Sequence, residues 1–116
     1  MAMTQTRTLR QTQPLSRRLD DTLLLRTPRN ERDIKRCAAF VSVNMRETSG
    51  ITAERVLHHF PNMRLDNYFF VEDEETGEVV SNLCLLPWQC RFNDITLDVA
   101  MLEIVATHPD YRKRGL

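Results

Sequence analysis

The chain has 116 residues and a formal net charge of zero, from 16 basic and 16 acidic side chains. That length supports one domain and excludes a second core of any size. A composition of 41% hydrophobic and 28% charged residues excludes a disordered chain. No apolar run approaches the roughly 20 residues that span a bilayer, so no membrane partner is expected. The zero conceals a segregation. Residues 1–65 carry 12 bases against 6 acids, residues 66–110 carry Arg91 against 10 acids, and residues 111–116 carry three bases. A neutral total argues against bulk nucleic-acid binding, so no nucleic-acid partner is expected.

The first 21 residues are rich in Thr, Gln and Arg and lack Val, Ile, Phe and Trp. They cannot bury enough apolar surface to offset the entropy of ordering, so residues 1–21 read as a flexible extension, with the domain over 22–116. Thr22 to Arg26 predicts a short strand bounded by Thr27-Pro28. Asn30 then serves as an N-cap, with Glu31 and Asp33 in the first turn where the helix dipole favours acids. Ile34, Cys37, Ala38, Val41 and Met45 form one apolar stripe, which predicts a helix over about residues 31–45. Ser49-Gly50 reads as a break. Ala53 to Phe60 predicts a second helix with Val56, Leu57 and Phe60 inward, stopped at Pro61.

The second half changes period. Asn67 to Glu72 predicts a strand, Glu74 to Gly77 a hairpin turn, and Glu78 to Leu86 the returning strand, with Pro87 to Cys90 kinking or continuing it. Asp94 to Thr107 predicts a third long strand. The resulting fold class is α/β of the α+β kind: a mixed, mainly antiparallel sheet with the order β-α-α-β-β-β.

Cys37, Cys84 and Cys90 form no CxxC pair and read as buried thiols of a reducing, cytoplasmic compartment. His58 and His59, adjacent on a helix, point about 100° apart and cannot share one metal face. No third ligand stands at a suitable spacing, so no metal is expected. The acidic run Glu72, Asp73, Glu74, Glu75 and Glu78 reads as a solvated hairpin tip.

Two features of the last strand point to chemistry. Its odd positions Ile95, Leu97, Val99, Met101, Glu103, Val105 and Thr107 share one face, unless a bulge shifts the phase. Glu103 is then one carboxylate in an apolar row, where desolvation favours its neutral form and suits a general base. The strand runs into His108-Pro109-Asp110-Tyr111-Arg112-Lys113-Arg114-Gly115-Leu116. A strand ending in a basic, Gly-containing loop is one way a fold presents backbone N–H groups to phosphates.

The element order together with the run from Val105 to Leu116 resembles the GNAT family of N-acetyltransferases. That family's core motif is a strand, a Pro-x-Tyr-Arg-like stretch and a loop of the form Gln/Arg-x-x-Gly-x-Gly/Ala. Arg112, Lys113, Arg114, Gly115 and Leu116 match its first five positions. The resemblance covers roughly residues 22–116, the N-terminal part of such a domain, and implies an incomplete GNAT-like fold that is inactive by itself.

The resemblance implies acetyl-CoA as co-substrate, with no metal, and acyl transfer from its thioester to a small-molecule or peptide amine. Backbone groups of Val105, Ala106 and Thr107 would hold the pantetheine arm, and the N–H of Val105 would polarise the thioester oxygen. The N–H groups of Lys113, Arg114, Gly115 and Leu116 would cradle the pyrophosphate, with the cationic side chains of Arg112, Lys113 and Arg114 assisting. Glu103 is the candidate base, while Tyr111 belongs to the loop and is not the distal acid. A non-catalytic acyl-CoA or anion-binding module is the alternative. The outer edge of the last strand would be unpaired, which leaves a homo-oligomer open.

Overall fold

The computed structural model describes residues 2–4 by their backbone and residues 15–46, 48–60 and 63–116 in full. Among these, six strands form one sheet: β1 (Ala2–Thr4), β2 (Ser16–Arg18), β3 (Leu23–Arg26), β4 (Tyr68–Asp73), β5 (Glu78–Phe92) and β6 (Ile95–Thr107). Two helices, α1 (Glu31–Asn44) and α2 (Ser49–His59), lie between β3 and β4. The α+β class and the β-α-α-β-β-β core follow the sequence reading, with every pairing antiparallel. One edge of β5 pairs along β6; the other pairs with β4 and then with β1.

Ser16–Arg18 lies in the segment expected to be an extension, yet it pairs with β3 through Arg26, Leu25 and Leu24. All three of its residues are exposed. Low apolar content forbids burial, but an edge strand needs only a ladder partner. The turn into β3 is fixed by Asp20, whose Oδ1 accepts from the N–H groups of Thr22 and Leu23, both at 2.9 Å. Residues 5–14 of the expected extension, and the helix stop assigned to Pro61, lie outside the described residues.

Helix α1 begins where its cap predicts: the Asn30 side chain accepts from the Asp33 N–H. Helix α2 begins at Ser49, four residues before the expected start, so Ser49-Gly50 is its first turn and not a break. The reason is the crossing with α1. A Cβ on Gly50 would stand 2.5 Å from the Ala38 carbonyl oxygen, so only glycine permits this approach. Pro87 continues β5, opposite Ala100. It falls between Cys84, which is paired with Tyr68, and Gln89, which is paired with Thr4. Among the described residues the second edge of β5 has no registered partner there, which makes a missing donor tolerable.

The core lies mainly between the helices and one sheet face, built from Ile34, Cys37, Phe40, Val41, Ala53, Leu57, Tyr68, Phe70, Val79, Cys84, Leu86 and Ala106. A smaller cluster of Leu23, Val71 and Val80 covers the other face, with Leu25, Tyr111 and Leu116 packed against it. An ion-pair network fastens α1 to the sheet. Arg26 bonds Asp33 at 2.7 and 3.0 Å and Glu72 at 2.7 and 3.2 Å, and Arg36 reaches Asp33 and Glu72 from the helix. Part of the acidic run is therefore internal: Glu72 is half-buried in the network and Asp73 is buried, while Glu74, Glu75 and Glu78 face solvent.

Candidate functional site

The site is built on the end of β6. Ser81 pairs with Thr107 and Asn82 with Ala106, but the next registered pair is Cys84 with Glu103. One residue of β5, Leu83, therefore faces two residues of β6, Ile104 and Val105. This is a β-bulge, and Ile104 takes φ +54° to form it. A β-branched residue in the left-handed region costs about 1–2 kcal/mol, so packing must hold it. Ile104 packs against the helix-side core, which supplies that hold.

Beyond the bulge the outer edge of the strand has no partner strand among the described residues. The His108 N–H donates to the Val80 carbonyl at 2.8 Å, towards β5. Backbone groups alternate in direction along a strand, so those of Thr107 point to the open side. The Arg112 Nε, which donates to the Thr107 carbonyl at 3.3 Å, marks that side. Ala106 faces inward: its carbonyl accepts from the Ser81 Oγ at 3.2 Å.

After the strand, Pro109–Tyr111 forms one 3-10 turn, capped by the His108 Nδ1, which accepts from the Asp110 N–H at 3.1 Å. Tyr111 then fastens the loop to the β4–β5 hairpin. Its hydroxyl donates to the Asp73 Oδ2 at 2.6 Å, and its ring packs edge-on to His108 and under the Arg114 guanidinium. That hydrogen bond holds the Asp73 carboxyl below its ordinary range and raises the Tyr111 hydroxyl. From Arg112 to Gly115 the sign of φ alternates, with Lys113 at +61° and Gly115 at +78°. Alternation of this kind turns successive N–H groups into a concavity that suits an anion. Residues 112–113 form a turn, and among the described residues none accepts a hydrogen bond from the N–H groups of residues 113, 115 and 116.

A bulged strand feeding a basic loop with alternating φ is an arrangement that suits an anionic ligand. The family model described as an acetyltransferase (GNAT) domain matches residues 28–116. The chain belongs to the GNAT family. No curated protein matches it. The matched span includes both helices, the bulge, the 3-10 turn and the loop.

Of the residues expected to bind the co-substrate, Thr107 opens onto the free edge, Val105 lies at the bulge with an exposed side chain, and Arg112 to Leu116 form the loop. Ala106 is the exception, because its backbone faces β5 and its side chain is buried. The expected row on β6 also breaks. Residues directly opposite share a face, so Glu103 lies on the Cys84 face and Ala106 on the Asn82 face, and the bulge moves Val105 and Thr107 out of the row. Glu103 is exposed, so it lacks the desolvation expected for a base in an apolar row.

The three cysteines are buried and unbridged, and burial pushes the thiols of Cys37 and Cys84 up to about 12. Cys37 and Cys84 are therefore not nucleophiles in this state. Among the described residues no helix is long and apolar enough to cross a membrane.

The sequence reading missed Ser81 and Asp73. Ser81 ties two residues at the end of β6, through the Ala106 carbonyl and the Thr107 Oγ1 at 3.1 Å. Asp73 was legible as a turn former, since its side chain accepts from the Glu75 N–H at 2.9 Å. Its second partner, Tyr111, is 38 residues away and leaves no local signal.

Proposed function

We propose that this chain binds acetyl-CoA along the outer edge of β6 and transfers its acetyl group to an amine. The observation that carries the reading is the joint placement of the Ile104 bulge, the open Thr107 edge and the alternating-φ basic loop on one continuous segment. The co-substrate supplies an activated thioester: the acceptor nitrogen would bond the acetyl carbon as the C–S bond breaks, and coenzyme A would leave as a thiolate that takes up a proton from water. Thr107 would pair with the pantetheine amides as an added strand pairs with an edge, and Lys113 to Leu116 would bind the pyrophosphate through their N–H groups. The Val105 N–H would polarise the thioester oxygen. An ammonium acceptor must lose a proton before attack, and Glu103, four residues before Thr107, would draw it in and accept that proton through water.

The test is calorimetric titration of coenzyme A into the protein. We expect saturable binding that weakens with added salt and falls when Lys113 and Arg114 become Ala. Absence of saturable binding, or binding indifferent to both substitutions, would overturn the reading. The exposure of Glu103 favours one alternative, a module that binds acyl-CoA without catalysis. Glu103→Gln distinguishes them: a large rate loss at unchanged coenzyme A affinity supports catalysis, and an unchanged residual rate supports the binding module.

A further inference from the structure

The fold brings together three side chains that no local spacing connects. Glu31 stands at the first position of α1, while Glu54 and His58 lie four residues apart on α2 and so share a face. One ligand atom from each lies within 4.8 Å of the other two, and the His58 Nε2 is 3.0 Å from the Glu31 Oε1. The third side chain of the group, Glu31, comes from the other helix. His59, on a different face, is outside the cluster.

We infer that Glu31, Glu54 and His58 form a surface site for a divalent transition ion of the zinc class, which would clamp the start of α1 to the end of α2. An imidazole beside two carboxylates is a mixed nitrogen and oxygen donor set that suits zinc, cobalt or nickel, whereas magnesium and calcium favour oxygen donors alone. Bonds of about 2.0–2.1 Å in tetrahedral geometry put ligand atoms roughly 3.3 Å apart. The His58–Glu31 separation is already near that value, and the remaining adjustment falls on side chains that are exposed or half-exposed. Three protein ligands leave the fourth position to water. No cysteine competes, because all three are buried.

The test uses the metal alone. Cobalt(II) is titrated into the folded protein and followed by its visible absorption, and zinc is then added in competition. The expected result is one ion per chain, displaced by zinc, with affinity reduced at least about tenfold in His58→Ala and in Glu54→Gln, since loss of a supporting partner alone commonly costs about 10–100-fold. His59→Ala should bind as the unaltered protein does. If a variant unfolds, Glu31→Gln serves in its place, because an exposed first-turn position tolerates the exchange. The inference is overturned if the protein shows no saturable cobalt signal, or if His58→Ala binds as tightly as His59→Ala.

Discussion

The Arg26–Asp33–Glu72–Arg36 network gives the most quantitative prediction, because one carboxylate in it carries a large, directed perturbation. The Asp33 side chain is only 6% exposed, and the Arg26 fork holds its carboxyl at about 2 against an ordinary 3.8. That depression is worth about 2 kcal/mol of folding stability at neutral pH. The folded value lies below the unfolded one. The contribution is therefore complete above about pH 4, falls to roughly half by pH 3, and disappears as the pH drops through about 2. Asp33→Asn removes the charge at nearly constant shape and leaves Arg26 with Glu72 alone. With about 2.1 cal/mol/K of unfolding entropy per residue over 116 residues, the loss corresponds to about 8 °C in Tm. Thermal unfolding of both proteins between pH 7 and pH 3 checks both the size and the sign. A difference under about 2 °C at pH 7, or one that does not shrink by pH 3, would refute the reasoning.

Gly50→Ala should cost about 1–3 kcal/mol, because Ser42 can rotate away from the new Cβ but the Ala38 carbonyl, 2.5 Å from it, cannot; urea unfolding would show a lower midpoint at an unchanged slope. Gly115→Ala meets no atom within 4 Å but must hold φ near +78°, so the penalty of about 1–2 kcal/mol should appear as a five- to thirtyfold loss of coenzyme A affinity. Tyr111→Phe removes the bond to Asp73 and should weaken coenzyme A binding while leaving the helices unchanged in circular dichroism, since the loop is fastened to the hairpin and not to the helices.

The elements were legible where their cause is local. The cap at Asn30, the stripe of Ile34, Cys37, Ala38 and Val41, and the turn ending at Gly77 each depend on neighbours within a few residues. The start of α2 was not, because Gly50 is selected by a helix 12 residues upstream and reads locally as a breaker. The bulge was not either. Ile104 is a good strand residue, and only the core beneath it holds it at φ +54°. That one residue decides which side chains line the site. It splits the row that sequence periodicity assembled around Glu103, and it leaves Ala106 facing inward while Thr107 faces the open edge.

The charge segregation resolves into two kinds of cation. Arg26 and Arg36 are committed, each bonded to both Asp33 and Glu72, and burial makes either one costly to release. The loop cations are not committed in this way. Arg114 meets Asp20 at 3.6 Å with both side chains nearly half exposed, a pair worth about 0–1 kcal/mol. Arg112 spends its Nε on the Thr107 carbonyl and keeps its terminal nitrogens, and among the described residues Lys113 has no ion-pair partner. A diphosphate could therefore recruit all three at little cost, and the cost of ordering the backbone beneath them is already met by the Tyr111–Asp73 bond and the fixed φ of Lys113 and Gly115. The same logic makes the affinity salt-sensitive while the fold is not, because screening acts on the exposed loop charges and scarcely on the buried network.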